Sequence, residues 1–487
     1  MRDNRCAARC CDHDHVDRRQ FLAAASLASA AAIGGNWAWG AEALPEKITP
    51  HGPASKCTPQ IKACFVRRKG DYGLRWPGAI YDGEAARKQY TEKLQAAEQQ
   101  LRCKIEIRPE PIYSPEEADA WLAECQAATA DGLLVVLLDR QEHAWPTAAK
   151  AIESKIQTVV FSPVGSSFTT NTAPLAQAPG SFIASTDDFS QVEYGLKMLC
   201  AATKLRAARC VVLQGKERKD VAMPLLGMQL RYVPAKEFLD EYQKTPVDDR
   251  VRAMAAEYMK RARRVFQATE QDVINGLKSY LVAGQILQRE EADAITMDCL
   301  GALGKTDVSL PCIAWSRMND DGIPAACEAD LGAVATHAIV EYLFDRPGFQ
   351  QDPVAETARG AIIGAHCSCP TRLNGFDQEP EPFDIQHHHA MRDAVPRTIW
   401  REGQRVTCAD VLMSGVQPVQ MLISAGDVIG NVAVPPAGGC VVSVMAKFDN
   451  VEDVLAFPGF HQLFFYGDYK RQLKQFCQLI GLEATVV

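Results

Sequence analysis

The stretch "DGLLVVLL", residues 131–138, is an unbroken apolar run of the kind found in a strand that is covered on both faces. Amphipathic helix patterns lie on both sides of it, at residues 84–101, 115–129 and 145–154. Three more strand patterns alternate with these helices: "IKACFV" (61–66), "CKIEIRP" (103–109) and "IQTVVFS" (156–162). Strands that alternate with helices indicate βαβ units and a parallel sheet.

A second series of the same kind follows, and a third region differs from both. The second series has a largely helical segment at 249–289 and four strand patterns: "ARCVVLQG" (208–215), "GMQLRYVP" (227–234), "ADAITMDC" (292–299) and "LPCIAWS" (310–316). From about residue 350, short apolar runs are separated by Gly, Pro, Asp and Asn, and an amphipathic helix with Asp468 as its N-cap and Gly481 as its stop precedes a last strand. The predicted fold class is therefore α/β: two doubly wound Rossmann-like domains, then a β-rich domain with a closing helix.

The N-terminus carries the pattern of an export signal. Residues 17–43, "DRRQFLAAASLASAAAIGGNWAWGAEA", contain paired arginines, an alanine-rich run and small residues at Ala41 and Ala43. This arrangement predicts a twin-arginine signal and a periplasmic location, with a cytoplasmic location if the segment does not act as a signal. The apolar run is too short and too poor in leucine for a stable membrane span. The predicted divisions are signal 1–43, linker 44–59, and domains 60–188, 189–349 and 350–487.

Composition excludes some classes of function. The net charge of −8 argues against nucleic acid as a partner, because such binding requires a basic face. Neither α/β series has a dinucleotide-type glycine fingerprint after its first strand, which disfavours nicotinamide and ATP enzymes. The 17 cysteines form no repeating framework, and their spacing does not decide whether they are reduced or paired.

The segment "PAACEADLG", residues 324–332, precedes a helix with a strong apolar face. Counted back at helical spacing, Glu328 lies within that face, and a buried carboxylate requires a partner or a metal ion. Asp330, two residues on, would point away from Glu328, and its simplest role is to stabilise the helix dipole. Asp298, at the end of "AITMD", is a further acid near a strand end.

Two histidines are candidate partners for Glu328. His366 ends the apolar strand "GAIIGAH", and His461 lies in "FPGFHQLFFYGD", just before another strand. Judged alone, each is more often a structural residue. The tract "HHH" at 387–389 resembles a metal site but is interpreted as a solvated loop, and Cys367 with Cys369 forms a CxC without a second pair, whereas zinc usually needs four ligands.

Three segments together carry a resemblance to a known family: "PAACEADLGAVAT" (324–336), "FQQDPVAETARGAIIGAHCSCPTRL" (349–373) and "FPGFHQLFFYGDYKRQLKQFCQLIGLEATVV" (457–487). They resemble the second-domain end and the C-terminal domain of the L-fucose isomerase-related proteins, which share a fold with L-arabinose isomerase. The resemblance covers roughly residues 290–487.

The resemblance implies a site and a reaction. It implies that Glu328 binds a divalent metal ion, commonly Mn²⁺, and takes part in proton transfer, and that His461 completes the metal site. By position after an apolar strand, His366 stands where the isomerases have their second acid. Two imidazoles and one carboxylate also suit Fe²⁺, Co²⁺ or Zn²⁺. Asp330 is a candidate for the substitute acid, and Asp298 is the other. The family assembles into trimers or hexamers, which would make the chain a homo-oligomer.

Two functions are compatible with these features. In the first, the protein is a metal-dependent aldose-ketose isomerase that acts on a deoxy- or pentose sugar through an ene-diol, with Glu328, His366 and Asp330 as catalytic residues and Glu328, His366 and His461 as metal ligands. In the second, it is an exported, non-catalytic sugar-binding protein, since a pair of α/β domains around a cleft also describes such proteins. The β-rich C-terminal domain with His461 favours the first.

Overall fold

The computed structural model describes residues 47–70, 72, 82–140, 143–388, 392–413, 419–433 and 440–487. The predicted export signal at residues 1–43 lies outside these residues, as does His389. The described chain is a mixed α/β protein with parallel sheets and a β-rich C-terminal part.

The first sheet consists of five parallel strands within the described residues. They are β1 (Gln60–Val66), β2 (Lys104–Ile107), β3 (Gly132–Leu137), β4 (Thr158–Ser162) and β5 (Ser181–Ser185), in the sheet order β2-β1-β3-β4-β5. The helices before and between them are α1 (Pro53–Lys56), α2 (Gly83–Leu101), α3 (Pro115–Ala127), α4 (Ala144–Glu153) and α5 (Thr169–Thr172). Leu134 and Val136 of β3 face one apolar core, and Leu133 and Val135 face another. Two covered faces explain why this strand is apolar throughout.

The second sheet follows α6 (Ser190–Ala207) and is mostly parallel. Its strands are β6 (Arg209–Leu213), β7 (Lys219–Ala222), β8 (Gln229–Val233), β10 (Ala294–Met297) and β11 (Ala325–Cys327), in the order β11-β10-β6-β8-β7 with only β7 antiparallel. The helices of this region are α7 (Ala235–Lys244), α8 (Asp249–Arg261), α9 (Glu270–Arg289), α10 (Cys299–Leu303) and α11 (Cys312–Asp320). The short strand β9 (Arg264–Val265) instead joins β14 (Phe383–His387) and β15 (Ala394–Thr398) in a small separate sheet.

The C-terminal part contains a closed barrel. Its strands are β12 (Phe349–Glu356), β13 (Ala361–His366), β16 (Arg405–Leu412), β17 (Gln420–Asn431), β18 (Val442–Phe448) and β19 (Gln462–Tyr466). The antiparallel order β16-β19-β12-β13-β18-β17 closes because β17 also pairs with β16. A 3₁₀ turn (Val454–Ala456) precedes β19, and α13 (Lys470–Ile480) leads to β20 (Glu483–Val486), which pairs with β17.

A buried helix connects the second sheet to the barrel. This helix, α12 (Leu331–Phe344), follows β11 directly, and Ala338 and Ile339 on it belong to an apolar core that also contains Val411 of β16. The hydroxyl of Thr336 accepts a hydrogen bond from the Val411 amide at 2.9 Å and donates one to the Gly332 carbonyl at 2.8 Å. These contacts fix the start of α12, and with it the residues just before the helix.

Three details differ from the sequence-based predictions. "LPCIAWS" is not a strand but the start of helix α11, in which Trp315 is fully buried. A short apolar run does not distinguish a strand from a helix that is buried on all sides, so periodicity gave the wrong answer. Strand β5 was not predicted, because its few residues include polar Ser181 and Ser185. Helix α13 begins one residue later than predicted, after Tyr469, although it ends at Gly481 as predicted.

The described residues 47–59, predicted as linker, are held against the second sheet region. The Asp293 carboxylate accepts hydrogen bonds from the amides of Ala54 and Ser55, at 3.1 and 2.9 Å, and the Tyr280 hydroxyl accepts one from Ile48 at 3.0 Å. This segment is therefore packed rather than extended into solvent. Among the helices that the structure describes, none has the length and apolar character needed to cross a membrane.

Gly332 offers a test of the contact between α12 and the barrel. A Cβ at this position would lie 2.2 Å from the Val411 carbonyl oxygen, which is held in a strand and has little room to move. Alanine favours a helix over glycine by up to about 1 kcal/mol, but this overlap should outweigh that gain. We expect Gly332→Ala to lower the free energy of unfolding by about 1 to 3 kcal/mol in a denaturant titration. At Gly430 the nearest atom would be 4.0 Å away, so Gly430→Ala is the matched control and should change stability little.

Candidate metal centre

Five polar side chains meet where the second sheet joins the barrel. Glu328 follows β11, Asp330 precedes α12, Asp352 lies in β12, His366 ends β13, and His461 precedes β19. Four of these residues were candidates in the sequence, and Asp352 was not. The site is thus built from segments that span more than 130 residues of the chain, which only the fold brings together.

Glu328 does not belong to the helix, contrary to the prediction. Glu328 and Ala329 have φ angles of 61° and 53° and form a left-handed turn between β11 and α12. A left-handed conformation costs a non-glycine residue roughly 1 kcal/mol or more, and such strain concentrates at functional sites. The side chain is 36% exposed rather than buried, because the turn lifts it off the apolar face of α12. Partial burial, together with the charges of Asp352 and Asp330, raises the pKa of Glu328, although His461 opposes the rise.

Asp330 has two simultaneous roles. Its Oδ1 accepts a hydrogen bond from the Ala333 amide at 2.8 Å, so it caps α12, as its place near the helix start predicted. Its Oδ2 lies 3.0 Å from Nδ1 of His461. The predicted orientation away from the site was wrong, because the helix begins only at Leu331 and Asp330 is extended rather than helical. One carboxylate therefore fixes both the helix start and the imidazole.

His461 is the centre of the cluster. It is only 5% exposed and has a φ of 56°, just after Gly459 with a φ of 90°. Asp410 supports this turn by accepting a hydrogen bond from the Phe460 amide at 3.3 Å, and burial raises the pKa of Asp410 to about 7. Because the Asp330 carboxylate only accepts hydrogen bonds, Nδ1 of His461 carries the proton and Nε2 points into the site.

Asp352 is the site residue that the sequence did not reveal. Its Oδ1 lies 3.2 Å from Nε2 of His461, and Glu328 Oε2 lies 3.5 Å from the same nitrogen. The contact between Asp352 Oδ1 and His461 Nε2 joins two buried atoms without hydrogen-bond geometry. Asp352 pairs with Ala365 across β12 and β13, so the barrel register places it beside the strand end that carries His366.

His366 is close to the other two predicted ligands. Its Nε2 lies 4.0 Å from Glu328 Oε1, and its ring is 5.7 Å from the ring of His461. Glu328, His366 and His461 each offer a ligand atom within 4.8 Å of the others. The predicted trio therefore comes together. Asp352 adds a second carboxylate beside this trio.

The electrostatics of the cluster favour a cation at its centre. Two carboxylates and one imidazole nitrogen face one another, and such acceptors repel unless a proton or a metal ion lies between them. Burial alone would lower the pKa of His461, but its contacts with Asp330 and Asp352 raise it to about 10, so the imidazole is protonated at neutral pH without a metal ion. A carboxylate that orients a histidine toward a shared centre is also the usual second shell of a metal site.

The remaining site candidates from the sequence lie outside the metal centre or at its edge. His387 pairs with Asp272 at 3.3 Å, and His388 is 5% exposed, so these two residues are not in a solvated loop as predicted. Asp298 caps the short helix α10, and its charge helps to raise the pKa of Glu328. The thiols of Cys367 and Cys369 are both buried.

Two cavities differ in size and chemistry. One of about 40 Å³ adjoins the site, and its lining includes Glu328, Asp352 and His366. It has room for an ion or about one water molecule. A groove of about 820 Å³ lies between α2, α6, α12 and α13, lined in part by Arg102, Tyr194 and Arg471, and it contains none of the five site residues. We take the smaller cavity as the functional one, because the converging ligands border it.

Comparison with known proteins adds little to this picture. The chain matches no protein-family model and no curated protein. An ABC-transporter solute-binding protein from Burkholderia multivorans is 10% identical over 60% of this chain and 95% of that chain, with a TM-score of 0.18. The 5-methylthioribose transporter solute-binding protein from Thermotoga lettingae TMO is 11% identical over 62% of this chain and 82% of that chain, with a TM-score of 0.16. Scores this low carry no argument about fold or function.

Proposed function

We propose that the protein is a metal-dependent aldose-ketose isomerase whose ion is held by Glu328, His366 and His461. The observation that carries this proposal is that each of these three side chains offers a ligand atom within 4.8 Å of the others. One carboxylate and two imidazoles suit Mn²⁺, Fe²⁺, Co²⁺ or Zn²⁺. The resemblance of residues 290–487 to the L-fucose isomerase-related proteins supports the same reaction.

The reaction requires a proton to move between C1 and C2 of the sugar. A divalent ion in the site would bind neighbouring sugar oxygens and polarise the carbonyl. Glu328 is the proposed base, because its pKa is raised by burial and by nearby charges, which makes its carboxylate a better proton acceptor. Asp352 supplies the second carboxylate that acid-base exchange requires. Positioned proton transfer of this kind contributes about 10²- to 10⁴-fold to the rate.

The other site residues have supporting roles in this proposal. Asp330 holds the tautomer of His461, which leaves Nε2 free to bind the ion. Asp352 Oδ1 lies 3.2 Å from His461 Nε2, and we assign Asp352 to proton transfer rather than to the ion. The cavity of about 40 Å³ is too small for a sugar. Substrate therefore approaches from the solvent side, where the Glu328 and Asp352 side chains are 36% and 31% exposed.

The proposal extends to organisation and location. We infer two doubly wound Rossmann-like domains at 60–188 and 189–349, and the order β2-β1-β3-β4-β5 of the first sheet is one that doubly wound domains use. The twin-arginine pattern within residues 1–43 supports export to the periplasm. Assembly into trimers or hexamers is the corresponding expectation from the resemblance.

Isotope exchange tests the reaction directly. The mature protein with Mn²⁺ should exchange hydrogen at C1 or C2 of at least one pentose or deoxyhexose in deuterated water, as followed by proton NMR. Glu328→Gln should reduce the exchange rate at least about 100-fold at saturating Mn²⁺, because the base is lost. His387→Gln is the matched control and should leave the rate unchanged, since His387 pairs with Asp272. Exchange that survives in Glu328→Gln would remove Glu328 from the mechanism.

The same experiment separates the alternative function. A wild-type protein that binds sugars and Mn²⁺ but exchanges no carbon-bound hydrogen with any aldose tested would be an exported sugar-binding protein of this fold. Saturation-transfer NMR on the same samples measures sugar binding independently of catalysis.

A further inference from the structure

Several cysteine thiols line the small cavity beside the metal centre. The cavity wall includes Cys299, Cys312, Cys327, Cys367 and Cys440. All the cysteines in the described residues are free thiols, and the proposed isomerisation uses none of them. A concentration of thiols at one place in the fold therefore needs its own explanation.

Cys367 and Cys440 form a pair at the ends of two neighbouring barrel strands. His366, the last residue of β13, is paired with Val442 at the start of β18. Cys367 follows the first of these residues, and Cys440 lies two positions before the second, so the two residues lie at the same end of the strand pair. Both side chains line the small cavity. Neighbouring positions on paired antiparallel strands lie within the Cα separation that a disulfide can span.

The two members of the pair differ in access. Cys367 is 4% exposed, whereas Cys440 is only partly buried. An accessible thiol beside a buried thiol is the arrangement of an attacking and a resolving cysteine. Cys299 and Cys327 also form a pair, but they are 6% and 3% exposed and offer less access to an oxidant.

The alternative of a thiolate metal site is less well supported. Within the described residues, the only group of three or more metal-binding side chains with mutually close ligand atoms is Glu328, His366 and His461, which includes no cysteine. Structural zinc sites usually have four ligands. The cavity thus brings thiols together in pairs rather than around one point.

We propose that Cys440 and Cys367 are an oxidative modification site, at which the two thiols form an intramolecular disulfide by exchange with a small-molecule disulfide such as oxidised glutathione. The Cys440 thiolate attacks one sulfur of the reagent and releases one thiol, which gives a mixed disulfide on Cys440. Cys367 then loses its proton, attacks Cys440 Sγ and releases the second thiol. The protein dithiol is oxidised by two electrons, and the reagent disulfide is reduced to two thiols. The bond joins β13 and β18 directly beside His366.

Mass spectrometry tests this site in the full chain. Reduced protein is treated with oxidised glutathione, the remaining thiols are blocked with N-ethylmaleimide, and the digest is searched for linked peptides. The expected product links Cys367 to Cys440. The rate of this linkage should exceed the rate of modification of any other cysteine in the chain at least about tenfold. Cys367→Ser should stop at a glutathione adduct on Cys440, and Cys440→Ser should give no adduct at Cys367. Cys312→Ser, which alters another thiol of the same cavity, should leave the linkage unchanged.

Specific outcomes would overturn the proposal. One is the absence of a Cys367–Cys440 link in folded wild-type protein. Another is that the cysteine left in each single variant reacts only at the rate of the other cysteines. The third is a linkage that Cys312→Ser abolishes. Hydrogen exchange gives a second measurement that does not depend on the variants. Amides at the end of β13 should exchange several-fold more slowly in the oxidised wild-type protein than in the reduced protein, and equal rates would contradict a cross-link there. The outcome does not depend on isomerase activity.

Discussion

Replacing His461 with glutamine is expected to abolish tight binding of a divalent ion. His461 Nε2 lies 3.5 Å from Glu328 Oε2 and belongs to the group of three close ligand atoms, so its loss removes one ligand of the ion. Glutamine can keep a hydrogen bond to Asp330, but its amide is a much weaker ligand for a transition metal than imidazole. We expect the dissociation constant for Mn²⁺ to rise at least about 100-fold, which corresponds to about 2.7 kcal/mol of binding free energy.

Calorimetry and metal analysis measure this effect. The wild-type chain should carry about one ion after dialysis against Mn²⁺, and His461→Gln should carry almost none. At a free ion concentration of 100 times the dissociation constant, binding stabilises the folded wild type by about 2.7 kcal/mol, and the variant should lose this rise in stability. Circular dichroism checks that the variant is folded. His387→Gln replaces a histidine that is paired with Asp272 and should bind the ion as the wild type does. Equal affinity in the wild type and in His461→Gln would contradict the proposed ligand set.

Metal affinity is also expected to depend steeply on pH. Contacts with Asp330 and Asp352 raise the pKa of His461 to about 10 in the metal-free protein, so an ion that binds near neutral pH must displace a proton. Loss of one proton on binding strengthens the apparent affinity about tenfold for each unit of pH. Between about pH 6 and pH 8 the affinity for Mn²⁺ should therefore increase about 100-fold. Titrations in buffers of different ionisation enthalpy should detect the release of one proton.

The sign of the linked stability follows from the same raised pKa. Without metal, protonated His461 stabilises the fold fully below its unfolded pKa of about 6.5, and this contribution is lost as the pH rises toward about 10. Asp330→Asn removes one of the two charges that raise the pKa of His461. In this variant the stabilisation by protonated His461 should therefore be lost at a lower pH. The variant should also bind the ion about 10- to 100-fold more weakly, because His461 loses the carboxylate that orients it. Affinity that is constant between pH 6 and pH 8 would contradict a protonated His461 in the metal-free site.

The sequence was informative where one residue pattern determines the structure. The apolar run in β3 is covered on both faces and could be recognised without tertiary information. Glu328, His366 and His461 were recognised because each is a polar residue at an apolar strand or helix end, and the fold does bring them together. The short apolar segment of α11 was ambiguous, because a buried helix and a buried strand have the same composition over seven residues.

The site itself depends on information that no local pattern contains. Asp352 lies within a strand whose neighbours are fixed by barrel closure, so only the register with β19 places it beside His461. Its one sequence signal was a carboxylate within the otherwise apolar and neutral run "FQQDPVA". The left-handed φ of Glu328 moved the helix start to Leu331 and turned Asp330 toward the site. Backbone conformations of this kind at non-glycine residues are not readable from residue type.

The anomalous scattering of manganese in crystals of the wild-type protein grown with Mn²⁺ tests the central claim most directly. We predict one peak per chain in direct contact with the side chains of Glu328, His366 and His461, with Asp352 outside the coordination sphere. The absence of a peak at this position, or a peak that contacts neither His366 nor His461, would contradict the proposed metal centre.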